Sequence, residues 1–294
     1  MQDFSGRTAV VTGAASGIGR GLAERFAREG MNVVLADVEE RALDAAVAEL
    51  AGRGHRVLGV VTDVMRRASV DALAERAIAA FGKVHVLCNN AGVLGRREGA
   101  RPVWELPTAD WEWVLGVNFW GVLHGVQAFV PHMHGHGEAG HIVNTASVAA
   151  FLGGGGPYGV TKQGVVALSE SLQADLTARQ SRIGASVLCP GWVDTALPNA
   201  ERNRPSALDA GGTAADGAGG TADTARHTLP TGKSPAQLAE AVVEAIRAEN
   251  FYVLPHPGWD FIVRARFDAV LARRGPARID FAEMMKRREA GDVF

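Results

Sequence analysis

The glycine-rich segment TGAASGIG at residues 12–19 constrains this chain most, because it lies between a short apolar run and an amphipathic stretch. Gly13 permits a tight turn, Gly17 lets the backbone approach a pyrophosphate, and Gly19 allows close helix packing. A helix that begins near Ile18 would present free N–H groups and its positive dipole end to that anion. A strand before the glycines and a helix after them therefore predict a dinucleotide-binding β-α-β unit.

Short apolar runs alternate with longer amphipathic stretches from residue 7 to residue 190. This alternation is typical of an α/β protein with a parallel sheet. The runs are rich in Val, Leu and Ile without strict alternation, as expected where helices cover both faces of the sheet. We predict strands at residues 8–12, 32–37, 56–62, 84–89, 140–145, 182–189 and 251–254.

The organisation of the chain changes after Pro190. Residues 198–233 are dominated by small and polar residues, with too few large apolar side chains to pack firmly. We interpret them as a mobile flap on the substrate side, with a disordered insertion as the alternative. Helical patterning resumes at Ser234, and residues 255–294 are predicted to form a C-terminal helical extension of a single domain, 1–294.

Composition excludes several classes of protein. Hydrophobic residues make up 47% of the chain and charged residues 21%, which favours a globular protein over a disordered one. A net charge of -2 argues against a nucleic-acid partner. We expect a cytoplasmic protein, since no secretion signal and no run of about 20 uninterrupted apolar residues is evident. Cys88 and Cys189 are expected to be buried and unpaired.

Asp37 ends the second predicted strand, 18 residues after Gly19. A carboxylate there can accept two hydrogen bonds from a ribose diol and would repel the extra phosphate of NADP. NAD is therefore the favoured cofactor. Two alternatives remain open: NADP, and a purely structural role of Asp37 as the cap of a helix over residues 38–50.

Three motifs follow one another along the chain: TGAASGIG at residues 12–19, NNAG at residues 89–92 and YGVTK at residues 158–162. Jointly they resemble the short-chain dehydrogenase/reductase family, over roughly residues 5–255. The resemblance implies a Rossmann-type, doubly wound, seven-stranded parallel sheet in the order 3-2-1-4-5-6-7. It also implies an oxidoreductase that transfers a hydride between NAD and a secondary alcohol or ketone.

The resemblance also implies roles for individual residues. Ser147 would position the reacting oxygen, Tyr158 would exchange its proton, and Asn118 would maintain a water path from Lys162 to solvent. The loop after Pro190 would border the nicotinamide. The implied cofactor-binding residues are Gly13, Ser16, Gly17, Ile18, Gly19, Asp37, Asp63, Val64, Asn90, Ala91, Gly92, Tyr158, Lys162, Pro190, Gly191, Val193 and Thr195.

The chemistry of Tyr158 and Lys162 also follows from the side chains. Four residues apart on a predicted helix, they share one face. A tyrosine hydroxyl loses its proton near pH 10, about three units too high for a general base at neutral pH. A nearby ammonium lowers that pKa, so Tyr158 becomes a usable base in alcohol oxidation and a usable acid in carbonyl reduction.

Other features suggest narrower hypotheses. His132, His134, His136 and His141 cluster in a segment that we place in a glycine-rich connection, and no metal is expected there. An apolar pocket formed by Trp192, Leu197, Phe151 and Leu152 would suit a hydrophobic alcohol or ketone. The competing interpretations are an NADP-dependent carbonyl reductase and a non-catalytic sensor or scaffold. The resemblance further implies a homodimer or homotetramer built from helices near residues 112–134 and 158–179.

Overall fold

Seven parallel strands form one sheet in the computed structural model, which describes residues 1–95, 102–209 and 232–276. Their order is β3-β2-β1-β4-β5-β6-β7, so the predicted fold and strand order are confirmed. Each strand lies within one residue or two of its predicted bounds. The strands are β1 Thr8–Thr12, β2 Asn32–Asp37, β3 Val57–Val61, β4 Val86–Asn89, β5 Gly140–Thr145, β6 Ile183–Leu188 and β7 Tyr252–Val253.

Helices cover both faces of the sheet, which explains why the central strands are apolar at successive positions. Val11 packs on one face with Leu22 and Leu238, whereas its neighbour Val10 packs on the other with Leu73 and Phe129. The helices are α1 Gly17–Arg28, α2 Glu40–Gly52, α3 Arg67–Phe81, α4 Thr108–Leu115, α5 Gly121–His136, α6 Gly156–Ala178, α7 Pro235–Ala248 and α8 Asp260–Leu271.

The strand order reverses at β1, which pairs with β2 on one side and with β4 on the other. In open α/β sheets a crevice opens at such a reversal, outside the carboxyl ends of the strands. Residues that follow β1, β2, β4, β5 and β6 therefore converge on one edge of the sheet. This edge carries the candidate site.

The first residues of the predicted flap, 198–233, form regular turns. Residues Leu197–Asn203 and Ser206–Leu208 form 3-10 turns. Lys233, at the far end of the segment, forms a parallel bridge with Val193. Residues 210–231 of the predicted flap and residues 277–294 of the predicted C-terminal extension lie outside the described residues.

The histidine cluster does not lie in a connection as predicted, because α5 continues to His136 and carries three of the four histidines. His136 Nε2 donates to the carbonyl of Val84 at 2.9 Å, and His141 Nε2 lies 2.7 Å from the hydroxyl of Ser186. Within the described ranges, no three His, Cys, Asp or Glu side chains are placed to hold a metal ion. Cys88 and Cys189 are buried and unpaired, as predicted.

One continuous helical run, Thr108–His136, is long and apolar enough to cross a membrane by length and composition alone, with a mean hydropathy of 1.3 over its most apolar window. Half of that window is buried inside the protein. Phe129 and Met133 of this run pack with α3 and the sheet in the core. Core helices of globular proteins share this composition, so packing accounts for these apolar residues.

Candidate active site

The glycine-rich turn joins β1 to α1 at the strand-order reversal. Gly13 has a φ of +65°, in the left-handed region that disfavours side chains. At Gly19 a Cβ atom would lie 2.1 Å from the carbonyl oxygen of Gly13, so only glycine fits there. The turn thus brings the first N–H groups of α1, after the N-cap Ser16, to the floor of the crevice. Such a helix N-terminus favours an anion.

Asp37 closes β2 beside this turn. Its Oδ2 accepts a hydrogen bond from the backbone N–H of Ala15 at 2.9 Å, and its Oδ1 accepts one from Glu39 at 3.1 Å. Burial raises the pKa of Asp37, and these N–H donors counteract the rise. The N-cap residue of α2 is Glu39, so the alternative role of Asp37 as the cap of that helix is wrong.

The NNAG segment follows β4 and is fixed to the end of β1. The hydroxyl of Thr12 accepts hydrogen bonds from the N–H groups of Asn90 at 2.9 Å and Ala91 at 3.1 Å. The side-chain amide of Asn90 donates to the carbonyl of Thr12 at 3.0 Å. Sequence reasoning missed Thr12, although a threonine at the end of the first strand was visible in the motif.

Tyr158 and Lys162 lie in the first turns of α6, which begins at the crevice. The Lys162 ammonium lies 5.6 Å from the centre of the Tyr158 ring and donates a hydrogen bond to the carbonyl of Thr145 at 2.9 Å. Lys162 is 3% exposed, and this burial lowers its pKa to about 8. A buried cation beside the phenol favours the phenolate, as the predicted chemistry requires.

Ser147 follows β5 and caps a 3-10 turn, Val148–Phe151. Its hydroxyl accepts from the N–H of Ala149 at 3.1 Å and donates to the carbonyl of Pro190 at 3.3 Å. The loop after β5 is therefore joined to the loop after β6. Three successive glycines with positive φ, residues 154–156, then lead the chain into α6.

Asn118 lies in a π-helical turn, Gly116–Trp120, between α4 and α5. Its Oδ1 accepts from the N–H of Val93 at 2.8 Å, and its Nδ2 donates to the carbonyl of Val93 at 2.9 Å. Isolated π turns inside helices are frequent at functional sites. Asn118 is fully buried, and a Cβ atom on Gly92 would lie 3.4 Å from both its Oδ1 and the Lys162 ammonium.

These side chains border one cleft of about 430 Å³. All predicted catalytic and cofactor-binding residues line it except Gly19, which packs beneath the turn, and Asn118, which lies behind Gly92. Sequence reasoning missed other lining residues, among them Glu39, Thr62, Met65, Val93, Trp113, Val117, Thr145, Ala200, Arg202, Asn203 and Pro205.

A salt bridge joins the two rims of the cleft at the Asp37 end. Glu39 accepts hydrogen bonds from Arg202 and from the amide of Asn203, the latter at 2.9 Å. Arg202 holds the pKa of Glu39 below its usual range. The partners are 163 residues apart, so no local pattern could reveal this contact.

The predicted apolar pocket is partly wrong. Leu197 lines the cleft, but Trp192, Phe151 and Leu152 pack instead into a cluster with Val148, Trp259 and Ile262. The apolar wall of the cleft is built by other residues: Met65, Val93, Trp113, Val117, Leu197 and Ala200. Trp113 and Val93 belong to a separate core cluster with Ala200, and sequence reasoning did not single them out.

Known proteins resemble this chain over most of its length. A model of the short chain dehydrogenase family matches residues 7–206. The 1-deoxy-11-beta-hydroxypentalenate dehydrogenase of Streptomyces arenae is 40% identical over 268 residues, covering 90% of this chain and 87% of that protein. The C alpha-dehydrogenase of Sphingobium sp. strain SYK-6 is 33% identical over 294 residues, covering 99% of this chain and 93% of that protein.

A solved structure shows the same likeness. The short-chain dehydrogenase/reductase from Burkholderia phymatum, in complex with NAD, superposes with a TM-score of 0.90 and 44% identity, covering 95% of this chain and 99% of that chain. The predicted family, fold and oxidoreductase activity on a CH–OH group are confirmed. The chain belongs to the short-chain dehydrogenase/reductase family.

Proposed function

We propose that this enzyme transfers a hydride between NAD and a hydrophobic secondary alcohol or ketone. One observation carries the proposal: Ser147, Tyr158 and Lys162 line the same cleft as the glycine-rich turn and Asp37. A dinucleotide site and a proton-transfer group on one cleft wall are what a dehydrogenase needs. The residues present fit the cofactor, because Gly13, Ser16, Gly17 and Ile18 line the cleft where the N-terminus of α1 begins.

In the proposed mechanism, the nicotinamide of NAD supplies the hydride acceptor for oxidation or, when reduced, the hydride donor. Ser147 turns its hydroxyl proton from the Pro190 carbonyl to the substrate oxygen and, by donating this hydrogen bond, orients the substrate. Tyr158 removes the hydroxyl proton in oxidation and returns it in reduction. Lys162 stabilises the phenolate through its buried charge, and Asn118 supports proton exchange between Lys162 and solvent.

NAD is preferred over NADP in this proposal. Asp37 and Glu39 both line the cleft at the end of β2, so two carboxylates face the place where a 2′-phosphate would lie. Arg202, the cation nearby, is engaged by Glu39. Calorimetric titration should give a dissociation constant at least about tenfold lower for NAD than for NADP. Equal or tighter binding of NADP would refute the preference.

The substrate is inferred to be largely apolar. The cleft wall made of Val93, Trp113, Val117, Leu197 and Ala200 offers few polar groups. The 1-deoxy-11-beta-hydroxypentalenate dehydrogenase named above acts, by its name, on a hydroxylated substrate. A panel of secondary alcohols with NAD should show a rate that rises with apolar bulk, and turnover confined to highly charged alcohols would contradict this substrate class.

The direct test of catalysis is Tyr158→Phe, which removes the hydroxyl and keeps the ring. We expect kcat to fall by about 10²–10⁴-fold, because a general acid–base contributes that much, while NAD affinity stays within about threefold. NADH absorbance reports turnover, and calorimetry reports binding. Unchanged turnover would overturn the mechanism and favour a sensor or scaffold that binds a dinucleotide without catalysis.

We further propose a single domain that assembles as a homodimer or homotetramer in the cytoplasm. Helices α5 and α6 would supply the contact, since Trp120, just before α5, is 49% exposed and Val160 on α6 is 51% exposed. Light scattering would measure the assembly, and charged replacements at both positions should shift it to monomer. For the stretch 198–233 we propose a substrate-side flap, of which residues 210–231 lie outside the described residues.

A further inference from the structure

His256 is a buried histidine that the proposed mechanism does not use. It lies between β7 and α8, far along the chain from every motif, and it is 3% exposed. Its ring packs against the loop that follows β6. The N–H of Gly191 donates to His256 Nδ1 at 3.0 Å, and His256 Nε2 lies 2.9 Å from the carbonyl oxygen of Trp192.

These two contacts fix the chemical state of the ring. A carbonyl oxygen only accepts, so Nε2 carries the proton, and an N–H group only donates, so Nδ1 carries none. The imidazole is therefore neutral, with one donor and one acceptor both used. Burial lowers the pKa of His256 to about 4, which keeps the ring in this state at neutral pH.

The loop held by His256 is the loop that meets Ser147. The carbonyl of Pro190 accepts hydrogen bonds from the Ser147 hydroxyl at 3.3 Å and from the N–H of Val148 at 2.9 Å. Pro190 and Gly191 both line the cleft. A Cβ atom on Gly191 would lie 3.2 Å from His256 Cγ, so the loop lies flat against the ring.

Two tryptophans, Trp192 and Trp259, lie beside the imidazole of His256. The rings of Trp192 and Trp259 meet edge to face at 4.9 Å, and His256 lies 6.4 Å from Trp259. His256 and Trp259 thus pack against the loop that borders the cleft at the Ser147 end. The two hydrogen bonds of His256 hold this loop at two backbone atoms, the nitrogen of Gly191 and the carbonyl oxygen of Trp192.

We propose that His256 is a positioning residue for the reaction: it fixes the Pro190–Trp192 loop at the nicotinamide side of the cleft and, because the Pro190 carbonyl accepts from the N–H of Val148, holds the neighbouring Ser147 in place. The proposal rests on the proposed dehydrogenase function for its effect on turnover. Its effect on cofactor binding does not depend on turnover. A loop displaced by about 1 Å costs an enzyme on the order of 10²-fold in rate.

The test compares His256→Phe, which keeps a ring without the hydrogen bonds, with His256→Gln, which keeps one donor and one acceptor. For His256→Phe we expect kcat to fall by about 10–100-fold, and for His256→Gln a smaller fall, within about tenfold. NAD affinity of His256→Phe should weaken by about 3–10-fold, whereas ADP-ribose, which lacks the nicotinamide, should bind unchanged. Fluorescence titration measures both ligands.

His141→Phe is the matched control, because His141 is equally buried but bonds to Ser186 at the opposite end of β5. We expect it to lower thermal stability while leaving kcat of the folded enzyme and the NAD to ADP-ribose affinity ratio unchanged. An unchanged ratio in both His256 variants would overturn the proposal, as would equal weakening of both ligands. If His256→Phe does not fold, His256→Gln must still weaken NAD relative to ADP-ribose by about twofold or more.

Failure of this proposal is distinguishable from failure of the proposed function. If Tyr158→Phe retained full turnover, the catalytic role of Tyr158 would be refuted while the ligand-binding ratio still reported on His256. If Tyr158→Phe lost turnover and the binding ratio of both His256 variants matched that of the wild type, the dehydrogenase function would stand and the role of His256 would be refuted.

Discussion

Among the single side chains, Lys162 shows how catalysis and stability compete. Its ammonium is buried and donates a hydrogen bond to the carbonyl of Thr145. Burial holds its pKa at about 8, below the ordinary value of 10.5. Between these pH values the unfolded chain binds more protons than the folded one, so the stability of the cofactor-free protein rises as pH increases through this window. At neutral pH the buried charge costs free energy.

Replacing Lys162 by Met should therefore stabilise the cofactor-free protein while abolishing turnover. Removal of the buried charge should raise the free energy of unfolding at pH 7 on the order of 1–3 kcal/mol, since one pKa unit corresponds to about 1.4 kcal/mol. Urea unfolding at pH 7 measures the change. A variant less stable than the wild type at pH 7 would show that the charge is well solvated by the site.

Residue roles were predictable where they sit in a contiguous motif and not where two distant segments meet. Tyr158, Lys162 and Ser147 were identified from the chain alone, and they line the cleft. Arg202 reaches Glu39 from 163 residues away, and no periodicity encodes such a pairing. His256 is likewise meaningful only once β7 lies beside β6.

Among the elements, the 3-10 turn Leu197–Asn203 is held on α4 by a buried ion pair that involves the next residue, Arg204. Arg204 lies 2.5 Å from Asp110, with side-chain exposures of 3% and 7%, and its guanidinium stacks on Trp113 at 5.2 Å. Its Nε donates to the carbonyl of Leu208 at 2.9 Å. Because Trp113 lines the cleft, this pair also fixes part of the substrate wall.

Replacing one partner of this ion pair should lower the free energy of unfolding more than replacing both partners. Asp110→Leu leaves the Arg204 charge buried without its nearest carboxylate, and we expect a loss of about 3 kcal/mol in the free energy of unfolding. The double variant Asp110→Leu with Arg204→Met should recover most of that loss. Guanidinium unfolding of both variants checks the expectation, and additive losses in the double variant would contradict it.

The elements differ in how well they can be predicted from the sequence. Strands and helices follow from long apolar patterns, so their existence and order were predictable. The π turn at Gly116–Trp120 adds one residue to a helical turn without a change of composition, and no pattern announces it. The histidines of α5 were misplaced because glycines among them resemble a connection, while packing against α3 and the sheet keeps the helix intact.

Taken as a whole, the molecule should be sensitive to acid. Burial lowers the pKa of His141 to about 3 and of His256 to about 4, and it also lowers the pKa of His85 and His132. The unfolded chain then binds more protons than the folded one as pH falls below about 6.5, so stability is lost from there down to about pH 3. Asp37, whose pKa is raised, opposes this trend.

Calorimetry between pH 7.5 and pH 4.5 should show a steadily falling melting temperature. His141→Gln, which has no proton to gain, should be less stable at pH 7.5 but should lose less of its stability on acidification. The wild type and His141→Gln should differ in the slope of melting temperature against pH, and this difference measures the contribution of one buried imidazole. A melting temperature independent of pH over this range would contradict the assignment of these rings as buried and neutral.

The bridge between Val193 and Lys233 bears on how the chain tolerates changes in length. The described residues on either side of the stretch 210–231 contact the cleft wall: Leu208 packs against the cluster of Val93, Trp113 and Ala200, and Lys233 bridges to Val193. Chain inserted or deleted between fixed anchor points leaves every strand register untouched, and longer loops cost little free energy. Changes in chain length between these two anchors would therefore leave the catalytic sheet and the residues that follow its strands unchanged.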